Sequence, residues 1–349
     1  MEKINKKNAV AALSVYSSRV SACVAVLGED GLANVIGLGK SEGKFMGSTG
    51  ILDIDALSGA LRDSLKIAQE ESGTDLSRVL VGVTGGSIGS EKSRGMVRLS
   101  HKSEEITQRR IREVMKVADV IPAGIEKSVI HSIPQHFTVD GQGGIKNPTG
   151  LYGVKLEAET LLITAPVPFL QNTVKCLNMA GLDAEDIVFS GIAASRCLLS
   201  GQGGEGGVVL MEIDNNFTVL SIFFDGTLIA VDVYGKSVIS DGAIEVLKKK
   251  IDKIRGGRPV SRVILAGGSY VHEDFIEKME AVFGVPSQAA YARNIRGSAK
   301  DINNPANITS IGLAVYGLMR KKENMARRKG GGLLGEATRK VGDFLSEYF

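Results

Sequence analysis

Apolar and polar positions along the chain fall into two series of the same kind. An apolar run from Ala9 leads to a Gly28-Glu29-Asp30-Gly31 turn and a second run, a pattern that predicts paired strands. Leu57, Leu61, Leu65 and Ala68 then recur at helical spacing behind Asp53 and Asp55, two residues suited to start a helix. Residues 79–83 follow as a short buried strand that runs into Gly85-Gly86. From Val208 the order repeats: residues 208–213, 218–224 and 228–234 read as strands, 242–254 as a helix, and 263–266 as a strand delivering Gly267-Gly268 to a loop. Two such units in tandem predict an α/β fold of two lobes with a cleft between them.

The stretch between the units is patterned differently. Residues 104–118 read as a helix with Ser103 as N-cap, and 128–139 and 154–164 as strands separated by a turn-rich 140–153. A helix over 167–180, closed by Gly181, and a strand over 187–189 return the chain to the first unit. The expected division is a first lobe at 1–84, continuing in 161–205 and 306–320, an insert at 85–160 and a second lobe at 206–305.

The last residues carry a second kind of pattern. On a helical wheel Leu333, Leu334, Ala337, Val341, Phe344, Leu345, Tyr348 and Phe349 fall in one arc of roughly 160°, opposite Glu336, Arg339, Lys340, Asp343 and Glu347. Residues 321–332 read as a basic flexible linker that ends in Gly330-Gly331-Gly332. An amphipathic helix on such a leash suits a bilayer surface, a partner's groove or a return onto its own domain.

Composition narrows the field. A formal net charge of +3 across 349 residues, with much of the basic excess near the tail, is no footprint for nucleic acid. Cys23, Cys176 and Cys197 lie at unrelated spacings in apolar stretches, as buried thiols of a reducing compartment do. His101, His131, His136 and His272 show no ligand spacing, and no metal site is expected. The lysine-rich residues 1–8 precede an apolar run too short for a secretory signal, which sets the expectation of a cytoplasmic protein.

Several segments together carry a likeness to a known family. Ile133-Pro-Gln-His-Phe-Thr-Val-Asp-Gly-Gln-Gly-Gly-Ile-Lys-Asn-Pro148 with Gly153-Val-Lys-Leu-Glu157 resembles the insert subdomain of FtsA, the actin-like bacterial division protein. Residues 82–97, 171–182 (Gln-Asn-Thr-Val-Lys-Cys-Leu-Asn-Met-Ala-Gly-Leu) and 308–317 (Ile-Thr-Ser-Ile-Gly-Leu-Ala-Val-Tyr-Gly) resemble the same family. The resemblance implies an actin/Hsp70-like two-lobed fold with subdomain 1A in the first lobe, the insert as subdomain 1C, and subdomain 2A in the second. It also implies ATP and Mg²⁺ between the lobes, filament formation, and attachment of the tubulin-like FtsZ to the inner membrane face. The family's membrane-targeting helix stands where residues 333–349 stand, which makes Leu333, Leu334, Arg339, Lys340, Val341, Phe344, Leu345, Tyr348 and Phe349 the expected lipid contacts.

The phosphate loops depart from the family pattern. Its opening Asp-x-Gly hairpin matches Ser14-Val-Tyr16-Ser17-Ser18-Arg19, with a ring where backbone must approach phosphate. Its second loop, glycine-rich, matches Glu212-Ile-Asp214-Asn215-Asn216, and Asp214 would set a carboxylate against phosphate at a repulsion of roughly 4 kcal/mol at about 4 Å. Gly267-Gly268 keeps the third loop. The family's subdomain 2B, which supplies a purine-side helix and holds the FtsZ tail, reduces here to a vestige at 236–259. The expectation is a scaffold with weak or no ATPase, partnered by membrane, by copies of itself, and by FtsZ or an intact FtsA. The alternatives are a slow ATPase using Ser17, Ser18, Arg19 and Gly267-Gly268, and a pilus-assembly type of actin-like adaptor.

Overall fold

A computed structural model describes residues 6–329 apart from 101, 121–125, 200–205, 236–242, 268–270, 298 and 300. The tail, residues 333–349, with every lipid contact expected there, lies outside the described residues, as does Gly268.

The first lobe opens with β1 (Val10–Val15), β2 (Arg19–Leu27), β3 (Ala33–Glu42), α1 (Ile54–Ser72) and β4 (Arg78–Val83). The apolar run from Ala9 is therefore two strands, because the chain already reverses at Tyr16–Ser18 and not first at Gly28. Asp53 caps α1 by accepting from the Ala56 amide, as its sequence position suggested.

The insert comprises β5 (Gly89–Arg98), β6 (Glu104–Glu105), α2 (Gln108–Ala118), β7 (Lys127–Val139), β8 (Gln142–Ile145), β9 (Tyr152–Gly153) and β10 (Lys155–Pro166). Its sheet runs β5-β10-β7-β8, over a separate core of Leu99, Ile106, Val114, Phe137 and Leu156. The helix expected from Glu104 starts at Gln108 instead. Glu104 and Glu105 are drawn into pairing with Gly153 and Tyr152, contacts 49 and 47 residues away that local periodicity cannot reveal.

The chain returns through α3 (Val167–Met179), β11 (Asp183–Phe189) and α4 (Ser190–Leu198). The second lobe holds β12 (Gly207–Ile213), β13 (Thr218–Phe224), β14 (Thr227–Tyr234), α5 (Ala243–Arg255), β15 (Val260–Gly267), α6 (Glu273–Phe283) and β16 (Ser287–Ala289). An Asp225-Gly226 turn with both φ positive joins β13 to β14, the geometry an Asp-Gly pair favours in a hairpin. Then β17 (Ile295–Gly297) joins the edge of the first sheet, and α7 (Ile308–Lys329) crosses back over the first lobe.

The lobes are built alike. The first sheet runs β11-β4-β1-β2-β3-β17 and the second β14-β13-β12-β15-β16, so each has an antiparallel trio followed by two parallel strands. Helix α5 stands in the β14-to-β15 crossover as α1 stands between β3 and β4. Its Ile244, Leu247 and Ile251 pack into the second lobe's core. What is described of 236–259 is thus the lobe's own crossover helix and not a remnant of an added subdomain.

One face of the second sheet, with Val208, Leu210 and Val219, joins the first lobe's core, while Val209, Met211 and Ile213 face α5 and α6. Helices α4 and α7 touch closely enough that a Cβ on Gly312 would lie 2.1 Å from the Ala193 carbonyl oxygen. Residues 321–329, expected as linker, continue α7, since nothing between Lys321 and Lys329 breaks a helix.

The insert is pinned to both lobes. The Phe189 amide donates to His131 Nε2 at 2.9 Å, Ser90 Oγ to the Val231 carbonyl at 2.7 Å, and Gln135 Nε2 to the Leu228 carbonyl at 3.0 Å. Burial, with the cations Arg196 and Arg320 nearby, pushes the His131 pKa down to about 3 from 6.5. A ring kept neutral in the fold but free to protonate when unfolded gives stability that is complete above pH 6.5 and declines as the pH falls towards 3. Wild type should lose stability relative to His131→Gln across that window, by up to about 1.4 kcal/mol per pH unit. Parallel urea titrations of the two proteins between pH 7 and 4 read the difference.

Candidate functional site: the seam between the lobes

The β1–β2 turn and the β12–β13 turn face each other across the seam, and the expected site residues of both meet there. Glu212 continues the inward face of Val208 and Leu210 on β12, so the alternation of the strand carries a carboxylate to full burial among apolar side chains. Such a group is tolerable only when its oxygens are hydrogen-bonded. Tyr16 Oη donates to Glu212 Oε1 at 2.8 Å and Ser190 Oγ to Oε2 at 2.8 Å. Thr309 Oγ1 stands 2.7 Å from Tyr16 Oη and 3.1 Å from Oε1. Tyr16 comes from the first hairpin, Ser190 from the start of α4 and Thr309 from the start of α7. Sequence reasoning missed Ser190 and Thr309 as partners, for they lie 22 and 97 residues from Glu212.

The protonation of the pair follows from burial. Burial raises the Glu212 pKa against the pull of its three hydroxyl donors. The Tyr16 phenol is held well above its ordinary value by burial and then by the neighbouring Glu212. Tyr16 therefore stays a donor.

Asp214 does not project into the cleft as a charge facing phosphate. Its Oδ2 accepts from the Ser17 amide at 2.7 Å and its Oδ1 from Ser17 Oγ and the Asn215 amide. Burial raises its pKa, while these bonds lower it. Asn215 Nδ2 donates to Ser18 Oγ at 2.9 Å and Asn216 Nδ2 to the Met46 carbonyl at 3.0 Å. Arg19 turns aside, giving Nη2 to Asn307 Oδ1 at 2.8 Å and Nε to Ser21 Oγ at 2.9 Å. Ser14 is buried in β1 beneath the turn. Gly267 ends β15 at φ +133, where a Cβ would meet the Ile213 carbonyl oxygen at 2.3 Å, so this glycine serves strand packing. A cavity of about 500 Å³ remains beside the seam, bordered by Arg19, Lys44, Asp214, Asn215 and Gly267.

The fit to ATP and Mg²⁺ is poor. A phosphate at the hairpins would take the amides that converge on the turn, and Asp214 already holds those of Ser17 and Asn215. A cation would ask for exposed carboxylates, whereas Glu212 is enclosed by hydroxyl donors. Among the described residues no cluster of His, Cys, Asp or Glu could hold a metal, and no helix is long and apolar enough to cross a membrane.

Residues 85–164 match the family described as the SHS2 domain inserted in FTSA. Cell division protein FtsA of Pseudomonas aeruginosa is 23% identical over 390 residues, covering 93% of each chain. The same-named protein of Escherichia coli K12 is 29% identical over 296 residues, 83% of this chain and 68% of that one. That of Bacillus subtilis is 32% identical over 246 residues, 69% of this chain and 55% of that one. The chain is a divergent FtsA relative. Solved structures agree on the fold: the PilM-PilN type IV pilus biogenesis complex superposes with a TM-score of 0.68 at 13% identity, over 90% of this chain and 99% of that one. The ethanolamine utilization protein EutJ of Carboxydothermus hydrogenoformans follows at 0.51 and 11%, over 90% and 92%. The fold of this FtsA relative is thus the actin-like one, with an insert whose sequence matches the FtsA domain.

Two outcomes test the seam. Ser190→Ala leaves Glu212 Oε2 without its donor and should cost about 1 to 3 kcal/mol in urea unfolding. Millimolar ATP with Mg²⁺ should leave the melting temperature unchanged, where a ligand at one hundred times its Kd would add about 2.7 kcal/mol.

Proposed function

We propose that this FtsA relative is a division scaffold with little or no ATP turnover, an actin-like body that assembles with copies of itself and with FtsZ or an intact FtsA at the inner membrane face. The observation that carries the reading is Asp214 on the Ser17 and Asn215 amides, a side chain of the protein seated where hairpin amides would serve a phosphate. The scaffold role rests on the insert, whose sequence matches the FtsA domain and whose core is its own. The peripheral membrane role rests on residues 333–349 and on the cations Arg327, Arg328 and Lys329 before them, each worth about 1 kcal/mol near an anionic leaflet.

A slow ATPase is the second reading, favoured by the cavity beside Arg19 and Lys44. A pilus-type adaptor has the fold likeness behind it but not the insert match.

Burial of Phe344 and Leu345 in the headgroup boundary should contribute about 1.5 to 3 kcal/mol each. Phe344→Glu, or removal of 333–349, should release the protein from phosphatidylglycerol vesicles in cosedimentation. Equal pelleting of all three proteins would defeat the membrane assignment.

A further inference from the structure

An apolar groove of about 430 Å³ lies open on the first lobe between α4, the β2–β3 turn and α7. Its floor includes Leu27, Leu318 and Met319, and Leu27 and Met319 are 37% and 44% exposed. Its rim carries Arg196, Arg293 and Lys322 against Glu323. Along α7 the lining positions are 315, 318, 319, 322 and 323, one helix face at the spacing that receives a second helix.

The chain itself supplies a fitting occupant. We infer that residues 333–349 fold back along α7 into this groove whenever they are not on a bilayer, so that the body shelters its own membrane segment. The inference rests on the membrane reading only for the competing state, not for the docked one.

Length and charge support that occupant. Helix α7 is described as far as Lys329, and the sequence that follows, Gly330-Gly331-Gly332, permits the reversal that side chains would resist. As a helix, 333–349 spans about 25 Å at 1.5 Å per residue. Phe344, eleven residues past Leu333, would return about 16 Å, to the level of Met319, ten residues or about 15 Å before Lys329. Its neighbours Leu345 and Tyr348 then cover the apolar floor. Glu336, Asp343 and Glu347 against Arg339 and Lys340 leave the segment one net negative charge, which suits a rim of three cations and one carboxylate.

Crosslinking in the full chain tests this. The native thiols are all buried, so Lys322→Cys with Val341→Cys places one reactive pair where docking brings the two positions level. Mild oxidation should give an intramolecular disulfide whose yield is independent of protein concentration and falls when phosphatidylglycerol vesicles are added. No disulfide, or one formed only between chains, would overturn the proposal. Independently, Met319→Glu should weaken the docked state by about tenfold or more, the worth of one buried apolar side chain, and raise vesicle binding correspondingly. Unchanged vesicle binding in that variant, with wild type bound, would also overturn it. If the disulfide forms and no protein binds vesicles, docking stands and the membrane reading falls.

Discussion

A single enclosed carboxylate fixes how the two lobes meet. Glu212 enters the seam from the second lobe and finds hydroxyls on three separate segments of the first, at the hairpin turn and at the starts of α4 and α7. Each donor is placed by a different secondary element, so the carboxylate can be satisfied only when all of them are in position. Removing a partner from a buried polar group costs more than the bond itself is worth. The apolar faces around it, Val208 and Leu210 on one side and the first lobe's core on the other, supply affinity but tolerate sliding. Glu212 supplies the register.

The second seam contact works on a different principle. Asp214 binds backbone amides, the groups that an anionic ligand would use, and it does so through atoms of the same chain. A ligand that closes two lobes must first be captured from solution and surrender its own freedom. A tethered carboxylate has already done so as part of folding. The hairpins in this FtsA relative are therefore organised by the fold itself.

Much of the fold was legible in the sequence, for reasons that can be named. The repeated order of strands, helix and strand survives because each element buries one face at its own period, and residues 218–224 and 79–83 are short apolar runs rich in β-branched and aromatic residues, the pattern of interior strands. The site was legible by position and misread in consequence. Tyr16 and Asp214 stood out as wrong for a phosphate loop, yet whether they repel a ligand or satisfy each other's surroundings depends on contacts 196 and 197 residues apart. The same limit hid the pairing of Glu104 and Glu105 with β9, where a good helix start lost to a partner strand. Lys321 to Lys329 failed for the opposite reason: charge suggested a leash, while intrinsic helix preference and the packed turns before it carried α7 onward.

Helix α7 has a mechanical property that its packing alone does not announce. Its first turn holds Thr309 in the seam, and its body stays fastened to the first lobe as far as Arg320 on Asp186 and Lys321 on the Ala9 carbonyl. A rod held along roughly twelve residues, about 18 Å, cannot tilt about its first turn without breaking those contacts. Gly312, locked against Ala193 one turn after Thr309, adds a backbone contact at the same end. The protein thereby holds Lys321, in the fourth turn of the helix, at a fixed bearing from the seam.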